Sequence, residues 1–255
     1  MASEFILSNC GALNIVNPFL NPFEEWEHRR PTHDELLTFY RQHNHFVMGD
    51  VRTRLLAVVN DPYAAAVYQV QRGATDIESH IDDFLETDNN FAEWRRSMPT
   101  AIPKPLSNYQ LRHQSGNDYP EVNSIINEVG VCLPDGQYVY HGGLLSRNGA
   151  DFFTTRPLST SLCPQIGVRL AEKHFNALNA GRLELTLLKV KDPKTKAYIF
   201  KNKNTNQGHE KEIVFAAGAR IYLRGSHLVT MRYGVGTPSG GSKNIPGYVI
   251  VGEIS

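Results

Sequence analysis

Three short stretches decide the fold when read in order: Tyr138-Val139-Tyr140-His141-Gly142-Gly143, then Arg156-Pro157-Leu158-Ser159-Thr160-Ser161, then Glu210-Lys211-Glu212-Ile213-Val214-Phe215-Ala216-Ala217-Gly218. The first reads as a strand ending at a histidine and two glycines. The second leads three hydroxyls into a helix-like run. The third sets two carboxylates at the head of an apolar strand. Residues i and i+2 of a strand share a face, so Glu210 and Glu212 are expected to meet one pocket. Taken singly, each stretch has a bland reading. Glu-x-Glu is usually a solvated pair on an edge strand, three hydroxyls commonly satisfy backbone at strand ends, and a strand histidine is usually structural. The order carries the information.

Upstream of these stretches the chain reads as helical. Thr32-His33-Asp34-Glu35 has the form of a capping box, followed by the apolar positions Leu36, Leu37, Phe39 and Tyr40. Val51 to Val59 is read as a second helix. Asp61-Pro62, a cap followed by a first-turn proline, opens a third that runs through Val70 and breaks at Gly73. Thr75-Asp76-Ile77-Glu78 has the form of another capping box. A short helix is expected over Asn89 to Arg96 and a last one over Pro120 to Val129, stopped by Gly130. Pro99, Pro103 and Pro105 mark an extended connection.

Beyond Gly130 the texture changes to short segments rich in β-branched and aromatic residues: Gln137 to His141, Leu183 to Val190, Ala197 to Phe200, Glu212 to Phe215, Ala219 to Leu223, Leu228 to Tyr233 and Tyr248 to Glu253. One helix, about Gln165 to Leu178, interrupts them. Residues 234–247 read as a surface loop. Short strands at this spacing point to an antiparallel two-sheet sandwich. The expected fold class is α+β, with a helical N-terminal region over residues 1–130 and a sandwich domain over 131–255.

The composition, 41% hydrophobic and 20% charged, fits an ordinary globular protein. No apolar run approaches the roughly 20 residues of a membrane helix, and the start of the chain lacks the pattern of a cleavable secretory signal. The expected setting is therefore cytoplasmic, or a target-cell cytosol reached without such a signal. Cys10, Cys132 and Cys163 are odd in number and far apart, which reads as free thiols. The formal net charge is zero, but residues 1–130 hold 18 Asp/Glu against 10 Lys/Arg and residues 131–255 hold 16 Lys/Arg against 8 Asp/Glu. A basic second half suits a diphosphate ligand; mutual attraction of the halves explains it as well.

In this order the three stretches resemble the NAD+-dependent mono-ADP-ribosyltransferases, the toxin-like family marked by an Arg, a Ser-Thr-Ser and a Glu-x-Glu. The resemblance covers about residues 135–255. It implies a split β-sandwich with NAD+ as the substrate in its cleft and no metal. Glu212 is then the catalytic acid that engages the ribose 2′-hydroxyl and steadies the cation formed as nicotinamide leaves. Glu210 is the glutamate that engages an arginine acceptor. Ser159 contacts the nicotinamide ribose or Glu212, while Thr160 and Ser161 shape the pocket. His141 and Gly142 stand where the family's first motif begins, with His141 in place of Arg. A neutral histidine cannot make an arginine's bidentate phosphate contacts, and His-Gly resembles instead the start seen in the poly(ADP-ribose) polymerase branch.

The resemblance further implies a macromolecular acceptor, protein arginine first and nucleic acid second, with the polar loop Phe200 to Gly208 in the acceptor-recognition position. It also makes a neutralising protein or chaperone an expected partner, as for a toxin or effector. An NAD+ glycohydrolase and a non-catalytic binding module of the same fold are the alternatives. Other patterns fail on context. The glycines of 234–240 lack the strand and helix of a dinucleotide-binding unit, Gly241-Ser242-Lys243 lacks the P-loop order, and the ten histidines are dispersed.

Overall fold

The computed structural model describes residues 13–46, 48–73, 75–112, 119–145, 149–200 and 211–255, with the backbone alone at 111 and 112. Two compact units divide the chain: Phe19–Asp61, and the described residues up to Pro18 together with Pro62–Ser255.

The smaller unit contains β1 (Phe23–Arg29), α1 (His33–His43) and β2 (Val51–Val59). The capping box forms as read: Thr32 Oγ1 accepts from the Glu35 amide at 3.3 Å, and the Thr32 amide donates to Glu35 Oε2 at 2.7 Å. Val51–Val59 is a strand, not the helix expected. It pairs antiparallel with β1 along its length, and local spacing could not show that a partner strand lay more than twenty residues upstream.

The larger unit carries α2 (Pro62–Arg72), α3 (Ile77–Thr87), α4 (Asn89–Arg96), α5 (Lys104–Arg112) and α6 (Tyr119–Val129). Then follow β3 (Tyr138–Gly142), β4 (Asp151–Phe153), β5 (Leu158–Ser161), α7 (Pro164–Glu172), α8 (Asn176–Ala180), β6 (Leu183–Val190), β7 (Ala197–Ile199), β8 (Glu212–Phe215), β9 (Arg220–Gly236) and β10 (Ser242–Ile254). All of these elements lie in the unit that resumes at Pro62. Helices of eight to eleven residues are too short to stand alone. Their apolar residues Ile77, Ile81, Leu85, Phe91 and Trp94 are buried, and the Tyr140 hydroxyl on β3 donates to the Pro62 carbonyl at 2.9 Å.

The fold is α+β. Among the described residues of the larger unit, β3 to β10 form an eight-stranded ladder in the order β4-β9-β10-β6-β3-β5-β8-β7. Between β3 and β5 it narrows to one residue pair, Tyr140 with Ser161. Neighbours run antiparallel except β10 and β6, which are parallel. The two strands expected at 219–233 are one, β9, and the stretch 234–247 is a hairpin into β10 and not a long loop. The expected helix over Gln165 to Leu178 stops at Glu172, where His174 and Phe175 take φ of 56° and 59° and turn the chain into α8. Cys163 is a buried free thiol. Cys10 lies outside the described residues. Among the described residues no helix is long and apolar enough to cross a membrane.

Gly142 fixes how closely α7 lies on the sheet. A Cβ on Gly142 would sit 1.7 Å from the Gly167 carbonyl oxygen, and one on Gly167 would sit 2.6 Å from Leu185 Cδ1. Two bare backbones therefore touch where β3 ends. Gly142→Ala must push α7 outward at a cost of about 3 kcal/mol or more. That should lower the melting temperature by roughly 6 °C or more in a calorimetric scan. An unchanged melting temperature would show that α7 is not held at this distance.

Candidate active site

Two strands bring the second and third sequence stretches side by side. β5 pairs antiparallel with β8, setting Ser159 opposite Val214 and Ser161 opposite Glu212. The Ser159 hydroxyl donates diagonally to Glu212 Oε1 at 2.6 Å. The other carboxylate oxygen, Oε2, accepts from Gln110 Nε2 at 2.9 Å. Glu212 is only 6% exposed, so two neutral donors orient a carboxylate that solvent hardly screens.

The first stretch joins them through backbone. His141 Nδ1 lies 2.8 Å from the Ser159 carbonyl. A carbonyl only accepts, so Nδ1 carries the proton and, in the neutral ring, Nε2 is left as an acceptor. Burial holds the His141 pKa below its ordinary value; the bond to Ser159 opposes this and the nearby Arg156 charge adds to it. His141, Ser159 and Glu212 thus form one linked chain.

Thr160 and Ser161 are buried and turned to backbone. Thr160 Oγ1 donates to the Ile213 carbonyl at 2.8 Å, and Ser161 Oγ accepts from the Cys163 amide at 3.1 Å. They fix β5 and the turn into α7. Gly142 borders the cavity described next, and its packing against Gly167 already requires glycine. Glu210 and the loop 201–209 lie outside the described residues. Lys211, the first described residue after that loop, has a φ of 48°, and β8 begins at Glu212.

A cavity of about 300 Å³ adjoins this chain, with His141, Gly142, Gly143, Arg156, Arg182 and Glu184 in its wall. Ser159 and Glu212 are not in that wall. Arg182 Nε donates to Glu184 Oε1 at 2.8 Å. No cluster of His, Cys, Asp or Glu suited to a metal occurs among the described residues.

Three solved structures can be set beside this geometry. The Vis ADP-ribosyltransferase of Vibrio splendidus, bound to its M6 inhibitor, is 17% identical over 76% of this chain and 90% of its own, with a TM-score of 0.45. The Plx2a toxin of Paenibacillus larvae is 10% identical over 70% of this chain and 96% of its own, with a TM-score of 0.44. C3stau2 of S. aureus, solved with NAD, is 14% identical over 64% of this chain and 92% of its own, with a TM-score of 0.37. No protein-family model matches the chain, and no curated protein does.

Several residues of the site were not legible as such. Gln110 comes from α5, in a segment read as extended; Pro105 in the first turn of that helix was the available signal. Tyr109 lies on the same helix. Burial and then the Glu212 charge push its hydroxyl pKa up, while Arg156 pulls the other way. Lys211 has a fully buried side chain, with Nζ 3.3 Å from Glu78 and 3.0 Å from Asp82 on α3. Glu78 also pairs with Arg169 of α7. The expected second capping box differs from its reading: Thr75 Oγ1 accepts from the Ile77 amide at 3.4 Å, Asp76 makes no side-chain cap bond, and Glu78 pairs with Lys211 and Arg169.

Two tests follow from this geometry. Lys211→Met leaves Glu78 and Asp82, both partly solvated, without their cation; a loss of about 2 kcal/mol is expected in chemical denaturation, and no loss would mean that the buried ion pair does not anchor β8. A depressed His141 pKa makes the folded state prefer the neutral ring. Its contribution is intact above the unfolded value of about 6.5 and fades as pH falls toward the folded value. Wild type should therefore lose more stability than His141→Gln as pH drops below about 6.5; parallel stability curves would contradict this.

Proposed function

We infer that this protein is an NAD+-dependent mono-ADP-ribosyltransferase, carrying ADP-ribose to a macromolecular acceptor and releasing nicotinamide. The observation that supports this best is the 2.6 Å bond from Ser159 to Glu212, because it joins the two stretches that the resemblance assigns to one site across 53 residues of sequence. The substrate supplies a bond from the nicotinamide nitrogen to the ribose that, on breaking, leaves positive character on the sugar. Nicotinamide departs with the bonding electrons, the acceptor's nucleophile bonds to the sugar carbon, and its proton passes to solvent.

In this reading Glu212 is the oriented negative charge on which the developing cation rests. A preorganised charge in a poorly solvated site acts most strongly where charge appears only in the transition state. Ser159 and Gln110 hold it in place. His141, neutral and with Nε2 as an acceptor, suits a ribose hydroxyl. Protein is the first acceptor class, with arginine first through Glu210, and nucleic acid is the second. The cytosolic setting and a neutralising partner belong to the same proposal.

Labelled NAD+ tests it. Label transferred to protein or nucleic acid is expected, and the acceptor class follows from protease and nuclease arms. Free nicotinamide alone would identify a glycohydrolase; neither product would leave a binding module. Glu212→Gln keeps the size and removes the charge, so cleavage should drop by about 100-fold or more with the melting curve retained. Undiminished nicotinamide release from the folded variant would remove Glu212 from its role.

A further inference from the structure

We propose that Arg156 is the cation that binds the substrate's diphosphate, in place of the arginine that the first motif lacks. This rests on the reading above and names a residue for it. His141 is held neutral and its Nδ1 hydrogen is spent on the Ser159 carbonyl, so the ring offers a diphosphate neither charge nor a free N–H donor. A dianionic group in this cavity must find its cation elsewhere.

The cavity wall offers two arginines, Arg156 and Arg182. Arg182 is committed to Glu184, whose carboxylate is 5% exposed and takes the Nε hydrogen. Arg156 makes no hydrogen bond or ion pair with any described residue; its described electrostatic partners are His141 and Tyr109. His141 lies on β3 and Tyr109 on α5, so the Arg156 charge is felt on two elements of the site. Its position is set by β5: it lies three residues before Ser159, on the approach into that strand. A guanidinium in that place keeps its planar fork of donors available for a phosphate oxygen pair. Because the side chain is exposed, its removal does not open the core.

The test measures the KM for NAD+ in the nicotinamide-release assay and the Kd for ADP-ribose by calorimetry. Wild type, Arg156→Ala and Arg156→Lys are compared at two salt concentrations. Arg156→Ala should raise both constants about ten- to a hundred-fold, leave kcat within about two-fold and flatten the salt dependence. Arg156→Lys keeps the charge without the fork and should fall between. If wild type cleaves NAD+ and Arg156→Ala shows an unchanged KM and Kd, this assignment is wrong and the proposed function stands. A wild type that neither cleaves NAD+ nor binds ADP-ribose would overturn both. A fall in kcat alone, with both constants unchanged, would place Arg156 with the reacting centre and overturn its diphosphate role.

Discussion

The strand that carries the site's carboxylate begins at a buried lysine. Lys211 reaches α3 through Glu78 and Asp82, and Glu78 is shared with Arg169 on α7. A buried ammonium without carboxylates would be strongly disfavoured, so the head of β8 lies where α3 supplies them. From there the β5–β8 ladder sets Ser159 against Glu212, and the Ser159 carbonyl draws in His141. The left-handed turn at Lys211 follows from the same demand, since that backbone points the side chain inward while β8 starts one residue later.

The same logic gives the helical segments their purpose. α2 to α6 share a compact unit with the sheet, and one of them, α5, delivers Gln110 to the carboxylate. A carboxylate held by donors from two distant parts of the chain is oriented in advance, in a setting where solvent hardly screens it. The glycines at 142 and 167 serve that end as well. They bring α7 against the end of β3, and the cavity wall runs on from there through Arg156 and Arg182.

Histidine at position 141 redistributes the charge of the site. A cation on the end of β3 would stand beside the Ser159 carbonyl and within the field of Arg156. Neutral imidazole avoids that repulsion and supplies a donor to the carbonyl and an acceptor on the opposite nitrogen. Positive charge in the cavity then rests with residues outside the first motif.

The sequence by itself determined the α+β class, most strand positions and the chain order of the three stretches, because these follow from local periodicity, turn residues and short motifs. The capping box at Thr32 is local in the same sense and formed as read. Tertiary structure decided everything that needed a distant partner. Val51–Val59 became a strand because β1 was there to pair with it, and Glu78 paired with Lys211. Gln110 and Arg156 became site residues only once α5 and β5 had been brought to Glu212 and His141. Spacing along a chain fixes which face a side chain takes within one element, but contact between elements far apart in sequence depends on packing that no single segment encodes.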